Sequence, residues 1–328
     1  MIKLANEVKT TVLDSPCVDD LFLDASDISL DTTPSPSIET GFAPLDAATS
    51  GGLNFGTLTV LTGSPGSGKS TFLNQILANA LSLGFNSFLY SGELTAQMAL
   101  DWFYKTVANP IHLSFGVNSF GKTIKVTDEG VLQINKWLKN KLFLFSKNAQ
   151  ADETNISTVI EFLAVKKDVK LFVLDNLMTI ECSGSDKYEK QINVIKSLKN
   201  LAKHYNIVII LVAHSNKNSI MRREPHVFDI SGASEIANLS DYILNATRDN
   251  DVENETTILL LKNRITGLIK KHLQLKFSPD RKRFYTDSTL ELERDYGYGE
   301  VYEQESFCWF INDKSYTRCQ ISLKPWLW

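Results

Sequence analysis

Eight consecutive residues, Gly63-Ser64-Pro65-Gly66-Ser67-Gly68-Lys69-Ser70, match the spacing GxxxxGK[ST]. Each residue type has a task in holding phosphate. The glycines let the backbone curl until its N–H groups point inward at anionic oxygens. Lys69 sets a cation on the terminal phosphates, and the Ser70 hydroxyl is a ligand for Mg²⁺. Thr71 enters the helix whose N-terminal dipole favours the same negative charge. Gly63 to Thr71 is therefore a candidate site for ATP or another nucleoside triphosphate, with Mg²⁺.

Ligands of an open parallel sheet gather beyond the carboxyl ends of its strands, so the polar residue closing each apolar run carries weight. One run closes on the phosphate loop. Phe88-Leu89-Tyr90 leads through Ser91-Gly92 to Glu93, Leu171 to Leu174 closes on Asp175, and Ile207 to Ala213 closes on His214. Asp175 is placed to hold Mg²⁺ through water. Glu93 has two readings: it orients and polarises an attacking water, or it is a favourable charge at the start of the helix that follows. His214 either senses the terminal phosphate or satisfies a backbone carbonyl.

The elements that must carry these residues follow from apolar periodicity. Strands are expected at Leu58–Thr62, Ser87–Ser91, Lys141–Ser146, Lys170–Leu174, Ile207–Ala213, Tyr242–Ala246, Thr256–Leu261 and His272–Phe277. Helices are expected at Thr71–Leu83, Leu94–Val107, Ile156–Val165 and Tyr188–Tyr205. Strands alternating with helices define an α/β class, with a mostly parallel central β-sheet flanked by helices. The division expected is an acidic leader over 1–40, one nucleotide-binding domain over 41–285, and an acidic, aromatic extension over 286–328 that the periodicity does not place.

The 328 residues, 43% hydrophobic and 22% charged, are ordinary for a globular protein. No apolar run reaches the roughly 18 residues of a membrane helix. The first ten residues do not read as a secretion signal, and the four cysteines show no paired spacing, so a cytoplasmic setting is expected, of a cell or of a virus's host, with no disulfide frame. The formal net charge is −4, yet residues 214–283 carry twelve Lys or Arg against nine Asp or Glu. Within them Lys217, Arg222 and Arg223 share one loop with a single acid, Glu224. That loop is either a solvated surface or a contact for nucleic-acid phosphates.

The motifs in order resemble the ATPase domain of ring-shaped replicative DNA helicases, the DnaB superfamily, and within it the Twinkle and T-odd phage primase-helicase branch. The resemblance covers about residues 40–285. It rests on the phosphate loop, Ser91-Gly92-Glu93-Leu94, Leu174-Asp175-Asn176-Leu177, Ala213-His214-Ser215-Asn216-Lys217-Asn218, Asp229 to Ile236 with Ser240-Asp241, and Lys262-Asn263-Arg264-Ile265-Thr266-Gly267. His214 is the feature that points to the phage branch.

The resemblance implies a RecA-like P-loop NTPase core, assembled as a hexameric ring around single-stranded DNA at a replication fork, with ATP between neighbouring copies. It implies that Glu93 is the catalytic carboxylate, Asp175 the Walker B acid and His214 the phosphate sensor. Arg264 would be an arginine finger reaching the next copy's ATP, and Arg248 a second such arginine. From the residues alone, Arg264 reads as a surface side chain in a polar turn. The resemblance also places Lys217, Arg222, Arg223, Ser231 and Gly232 along the DNA channel. Phe277 would stack on a base, or otherwise belong to the core. Primase, polymerase or a loader are the further partners implied. Forty leading residues are too few for the family's primase domain or helical scaffold. Leu21-Phe22-Leu23 is a candidate for docking on a neighbour. The alternatives are a RecA/RadA- or KaiC-like ATPase, and a non-enzymatic interaction protein with a vestigial nucleotide site.

Overall fold

The computed structural model describes residues 24–27, 35–118, 121–182, 187–214, 225–227, 233–248, 254–286, 292–299, 307–312 and 315–320. The chain divides into two compact units, Met1–Pro36 and Ser37–Trp328. In the first, Ala25–Asp27 forms one 3-10 turn, and the Asp24 carboxylate accepts from Ser26 N at 2.8 Å.

The second unit opens with β1 (Ser37–Ile38), α1 (Ala43–Ala48) and β2 (Leu53–Asn54). β3 (Leu58–Gly63) leads through the phosphate loop into α2 (Lys69–Ser82), and β4 (Asn86–Ser91) into α3 (Ala96–Val107). A hairpin of β5 (Leu113–Asn118) and β6 (Gly121–Val126) precedes α4 (Asp128–Leu138), β7 (Leu142–Leu144), α5 (Glu153–Lys166), β8 (Val169–Asp175), α6 (Lys187–Tyr205) and β9 (Val208–Val212). After α7 (Ala233–Leu239) come β10 (Tyr242–Arg248), β11 (Glu255–Asn263), β12 (Lys271–Ser278) and β13 (Arg283–Tyr285), then a separate hairpin of β14 (Phe307–Asn312) and β15 (Ser315–Gln320).

Nine strands form one sheet in the order β13-β12-β11-β10-β3-β9-β8-β4-β7. From β10 to β7 all neighbours are parallel, and β11, β12 and β13 extend the β10 edge antiparallel. The mostly parallel sheet expected from the run pattern is present. Every residue of β3 and β9 is buried because helices cover both faces; β9 is the unbroken apolar run such a strand favours, whereas Thr59 and Thr62 interrupt β3. Successive residues serve opposite cores: Leu61, Val173 and Ile210 pack with Phe72, Leu73, Ile76 and Leu77 of α2, whereas Val60, Phe172 and Ile209 pack with Ile160 of α5 and Leu198 of α6. Phe72, Leu73, Ile76 and Leu77 each contribute about 1.5–3 kcal/mol by burial, which fixes the helix carrying Lys69.

Helix starts differ in a way that matters for the site. Thr95, Thr127 and Asp152 cap α3, α4 and α5 by accepting from Met98 N, Gly130 N and Asn155 N. At α2 the capping position is Gly68, with no side-chain hydrogen bond, so its first N–H groups face the loop.

Part of the tail expected from residue 286 onward packs into this unit. Tyr296 and Tyr298 are buried. The Tyr298 hydroxyl accepts from Asn109 N at 2.6 Å and lies 2.6 Å from His112 Nδ1, to which it can donate. Arg283 is buried and donates to the carbonyls of Thr106, Leu292 and Arg294; burial pushes its guanidinium down to about 10.

Candidate active site

The phosphate loop folds as its residues dictate. Gly68 has φ +86°, and a Cβ there would lie 2.4 Å from the Phe284 ring. At Gly63 (φ +142°) a Cβ would lie 2.1 Å from Ala246 O. Both positions therefore demand glycine. Lys69 is buried, and its Nζ donates to the loop carbonyls of Gly63 (3.0 Å) and Ser64 (2.8 Å). Burial holds its pKa below the ordinary lysine range, partly offset by Asp175 and Glu93. Ser67 Oγ is buried without a partner among the described residues. An uncapped helix start, a buried cation and an unsatisfied hydroxyl fit an anion that supplies acceptors.

Ser70 Oγ donates to Asp175 Oδ2 at 3.0 Å. Burial raises the Asp175 pKa, Glu93 raises it further, and Ser70, Lys69 and His214 oppose the shift. A hydroxyl beside a carboxylate at the phosphate end of the sheet is a hard-oxygen donor set suited to Mg²⁺ completed by phosphate and water.

Glu93 reaches the same place through a tight turn. Gly92 N donates to Asp175 O at 2.7 Å, and a Cβ on Gly92 would lie 1.9 Å from Thr179 Oγ1. Helix α3 begins three residues beyond Glu93, with Thr95 as its cap. The Glu93 carboxylate instead meets Asn176 Nδ2 at 2.5 Å and His214 Nε2 at 3.5 Å. Asn176, visible in the sequence only as part of a motif, is thus a member of the site. Its sole sequence signal is adjacency to Asp175.

A cleft of about 430 Å³ joins these groups to Trp102, Arg248, Asn254, Thr256, Phe277 and Phe284. Two residues expected to act elsewhere line this cleft. Arg248, expected to act on a neighbour, lines its own chain's cleft: β10 runs parallel to β3 with Ala246 opposite Gly63, so Arg248 emerges at the phosphate end. Phe277, expected either to meet a base or to belong to the core, lines the same cleft and packs against the core, with its ring 5.7 Å from that of Phe284; the antiparallel strands β11 to β13 fold it back there.

Arg264 stands elsewhere. β11 pairs Asn263 with Tyr242, and Tyr242 lies opposite Thr59 near the start of β3. The six residues of β3 put roughly 15–20 Å between that end and the phosphate loop, at about 3.3 Å per residue. Arg264 Nη2 donates to Asn238 O at 2.5 Å, and Nη1 lies 3.5 Å from Asp241 Oδ1. Exposed Ile265, Leu268 and Ile269 follow it. Asp241 organises this end: its Oδ2 accepts from Leu58 N (2.8 Å) and Lys199 Nζ (2.5 Å). Lys262 Nζ meets the carbonyls of Ala237 (2.5 Å) and Ser240 (2.8 Å), closing the C-terminal end of α7 with a cation. The expected DNA-binding residues Lys217, Arg222, Arg223, Ser231 and Gly232 lie outside the described residues, as does Leu21-Phe22-Leu23.

Phosphate loop after β3, acids beyond β4 and β8 and a histidine beyond β9 on a wound parallel sheet define a RecA-like P-loop core. The chain belongs to the DnaB-like helicase C-terminal domain family, whose model matches residues 37–286. A "Probable replicative DNA helicase" of Trieres chinensis is 25% identical over 313 residues, covering 87% of this chain and 65% of that protein. The DNA repair protein RadA of Salmonella typhimurium is 26% identical over 198 residues, covering 59% of this chain and 34% of that protein. The chain thus spans about two thirds of the first relative's length and a third of the second's. A solved structure of a DnaB-like replicative helicase, described with its primase interactions, shares the fold. Its TM-score is 0.64 at 16% identity, over 86% of this chain and 70% of that one. The family match does not extend to the Twinkle and T-odd phage branch, which rests on His214.

Proposed function

We propose that this chain is an ATP-dependent replicative DNA helicase, which works as a ring of copies, six in the expected form, moving on single-stranded DNA and unwinding duplex at a fork. One observation carries the reading. Lys69, Ser70, Asp175, Glu93 and His214 converge at one end of the sheet, and Arg264 sits at the other, half-exposed beside apolar side chains. An arginine so far from its own phosphate loop can meet a nucleotide only on another copy, which a head-to-tail ring supplies.

In this reading the loop N–H groups and Lys69 cradle the phosphates, and Ser70 with Asp175 holds Mg²⁺. The ion, when bound, neutralises phosphate charge and polarises the terminal phosphoryl group. Glu93 orients the attacking water and takes its proton. His214 hydrogen-bonds the terminal phosphate, and Arg248 adds a cation from the same chain. Phe277 serves the nucleotide rather than DNA, its ring a wall of the cleft. A neighbour's Arg264 stabilises transition-state charge. Lys217, Arg222 and Arg223, with Ser231 and Gly232, contact the DNA backbone from each copy, so a mildly acidic chain still presents a basic channel. Primase, polymerase or a loader would act with the ring, in the cytoplasm of a cell or a virus's host; among the described residues no helix is long and apolar enough to cross a membrane.

The likeness to RadA supports a second reading, a recombination ATPase with the same core. Forked and homologous duplexes separate the two. The first reading expects ATP-dependent strand displacement from the fork, abolished by Lys69→Ala. Strand exchange on homologous duplex without fork displacement would favour the second. Turnover that ignores Lys69→Ala would overturn both.

A further inference from the structure

Asn176 occupies the gap between Glu93 and His214, and its amide has one permitted orientation. The side chain is 1% exposed. Its Oδ1 accepts from Met178 N at 2.9 Å, which aims the NH₂ group the other way. That NH₂ lies 2.5 Å from Glu93 Oε1 and 3.1 Å from His214 Nε2. Both amide protons thereby have acceptors, provided His214 keeps its own proton on Nδ1 and leaves Nε2 as a lone pair.

The surroundings hold this arrangement. The Asn176 carbonyl accepts from Thr179 Oγ1 at 2.8 Å, and Thr179 Oγ1 in turn accepts from Tyr90 OH at 2.9 Å. The same threonine packs against Gly92, the residue before Glu93. Two elements that close the cleft, the turn after β4 and the turn after β8, are locked to each other around this amide.

We infer that Asn176 is a positioning residue that couples His214 to Glu93 by competing with phosphate for His214 Nε2. An Nε2 that donates to a phosphate oxygen carries the proton and cannot also accept from Asn176. A phosphate hydrogen-bonded to His214 therefore removes one of the three hydrogen bonds that restrain the amide beside Glu93. Glu93 and His214 thus respond to one event. The inference rests on the hydrolytic reading of this cleft and adds to it a route between the carboxylate and the sensor.

The experiment uses the full chain with Asn176→Asp and Asn176→Ala, each alone and with His214→Ala. Asn176→Asp keeps the acceptor for Met178 N but sets a second acid beside Glu93, whereas Asn176→Ala removes both donors without adding charge, so a loss shared by the two variants reports the donors rather than the new charge. Nitrogen-resolved NMR of histidine-labelled protein reads the tautomer of His214. The parent is expected to show Nδ1–H alone, changing to Nε2–H on adding Mg²⁺ with a non-hydrolysable ATP analogue. In Asn176→Asp the nucleotide-free ring is expected to lose the fixed Nδ1–H form. Turnover with single-stranded DNA should fall roughly 10- to 100-fold, the scale of a lost hydrogen bond to a charged group, while analogue affinity stays within about 3-fold. The double variants should be no slower than the slower single variant, because the two residues act as a unit. An unchanged tautomer in Asn176→Asp, or losses that multiply in the double variant, would overturn the coupling. Lys69→Ala is measured alongside: if turnover survives it, the hydrolytic reading itself falls; if turnover depends on Lys69 yet ignores Asn176, only the coupling falls.

Discussion

Replacing Asp241 by alanine should cost about 3–5 kcal/mol of folding stability, because this buried carboxylate anchors the end of β3 remote from the phosphate loop. Its Oδ2 accepts from Leu58 N and from Lys199 Nζ, and the carboxylate is 4% exposed. Without it, the Leu58 N–H is buried with no acceptor, at about 1–3 kcal/mol. Lys199, 19% exposed, loses its counter-ion, and breaking a buried pair from one side costs about 3–5 kcal/mol. Lys199 can turn partly to water, so the two costs overlap rather than add. The total is a large share of the roughly 5–15 kcal/mol that holds a domain folded. Urea unfolding followed by circular dichroism should show a lower midpoint with an unchanged slope. Asp241→Asn, which keeps an acceptor for Leu58, should lose less. Lys199→Met should relieve part of the Asp241→Ala penalty, with a coupling of about 1–3 kcal/mol. An Asp241→Ala variant within about 1 kcal/mol of the parent, or strictly additive effects with Lys199→Met, would refute the anchor.

Asp175→Asn should separate stability from function. Burial raises the Asp175 pKa, so ionising it costs the folded state more than the unfolded one, and stability is lost as pH rises from the unfolded value through the raised folded value. The variant should be more stable than the parent at neutral pH and no more stable in strong acid. It should lose Mg²⁺-dependent nucleotide binding at every pH, whereas the parent loses it as pH falls, beginning above the ordinary aspartate range; thermal unfolding and binding titrations check both. Tyr298→Phe removes the acceptor for Asn109 N and should cost about 1–3 kcal/mol in urea unfolding; a negligible loss would mean that 292–299 does not brace the body. Arg222→Ala with Arg223→Ala should weaken single-stranded DNA binding and reduce the slope of its salt dependence by up to roughly 0.7 for each phosphate left without its cation. An unchanged slope would remove that loop from the channel.

What the sequence made legible follows from where free energy is concentrated. Leu171 to Leu174 of β8 and all of β9 are buried between helices and read as unbroken apolar runs, β3 as one interrupted by Thr59 and Thr62, and the groups that close them sit at the cleft. The β5–β6 hairpin carries no such signal. Of its described residues only Leu113, Ile124 and Val126 pack against the core, whereas Ile111 just ahead of the hairpin and Phe115 and Val117 within it are exposed, so the alternation does not mark a buried strand. Helix α4 has a readable start, Thr127 followed by Asp128 and Glu129, which the strand pattern on either side obscures. Arg248 depends on β10 lying parallel beside β3, and Phe277 on three antiparallel strands folding back along β10; neither pairing is encoded in apolar runs. Asn176 and Asp241 owe their roles to partners remote in sequence: Asn176 to Glu93, 83 residues away, and Asp241 to Leu58, 183 residues away. The acidic tail hid Tyr296 and Tyr298, whose burial depends on Arg283, Asn109 and His112 rather than on local periodicity.

The central claim is that a nucleotide held by Lys69 of one copy is completed by Arg264 of the next. Mixing Lys69→Ala with Arg264→Ala chains tests it most directly, with turnover measured on single-stranded DNA. Each variant alone should be inactive, and Arg264→Ala should still bind nucleotide. In an equal mixture, about a quarter of head-to-tail interfaces join an intact Lys69 to an intact Arg264, so turnover should return above the level of either parent variant. Mixtures as inactive as their components, or Arg264→Ala alone turning over ATP at the unmodified rate, would contradict the account.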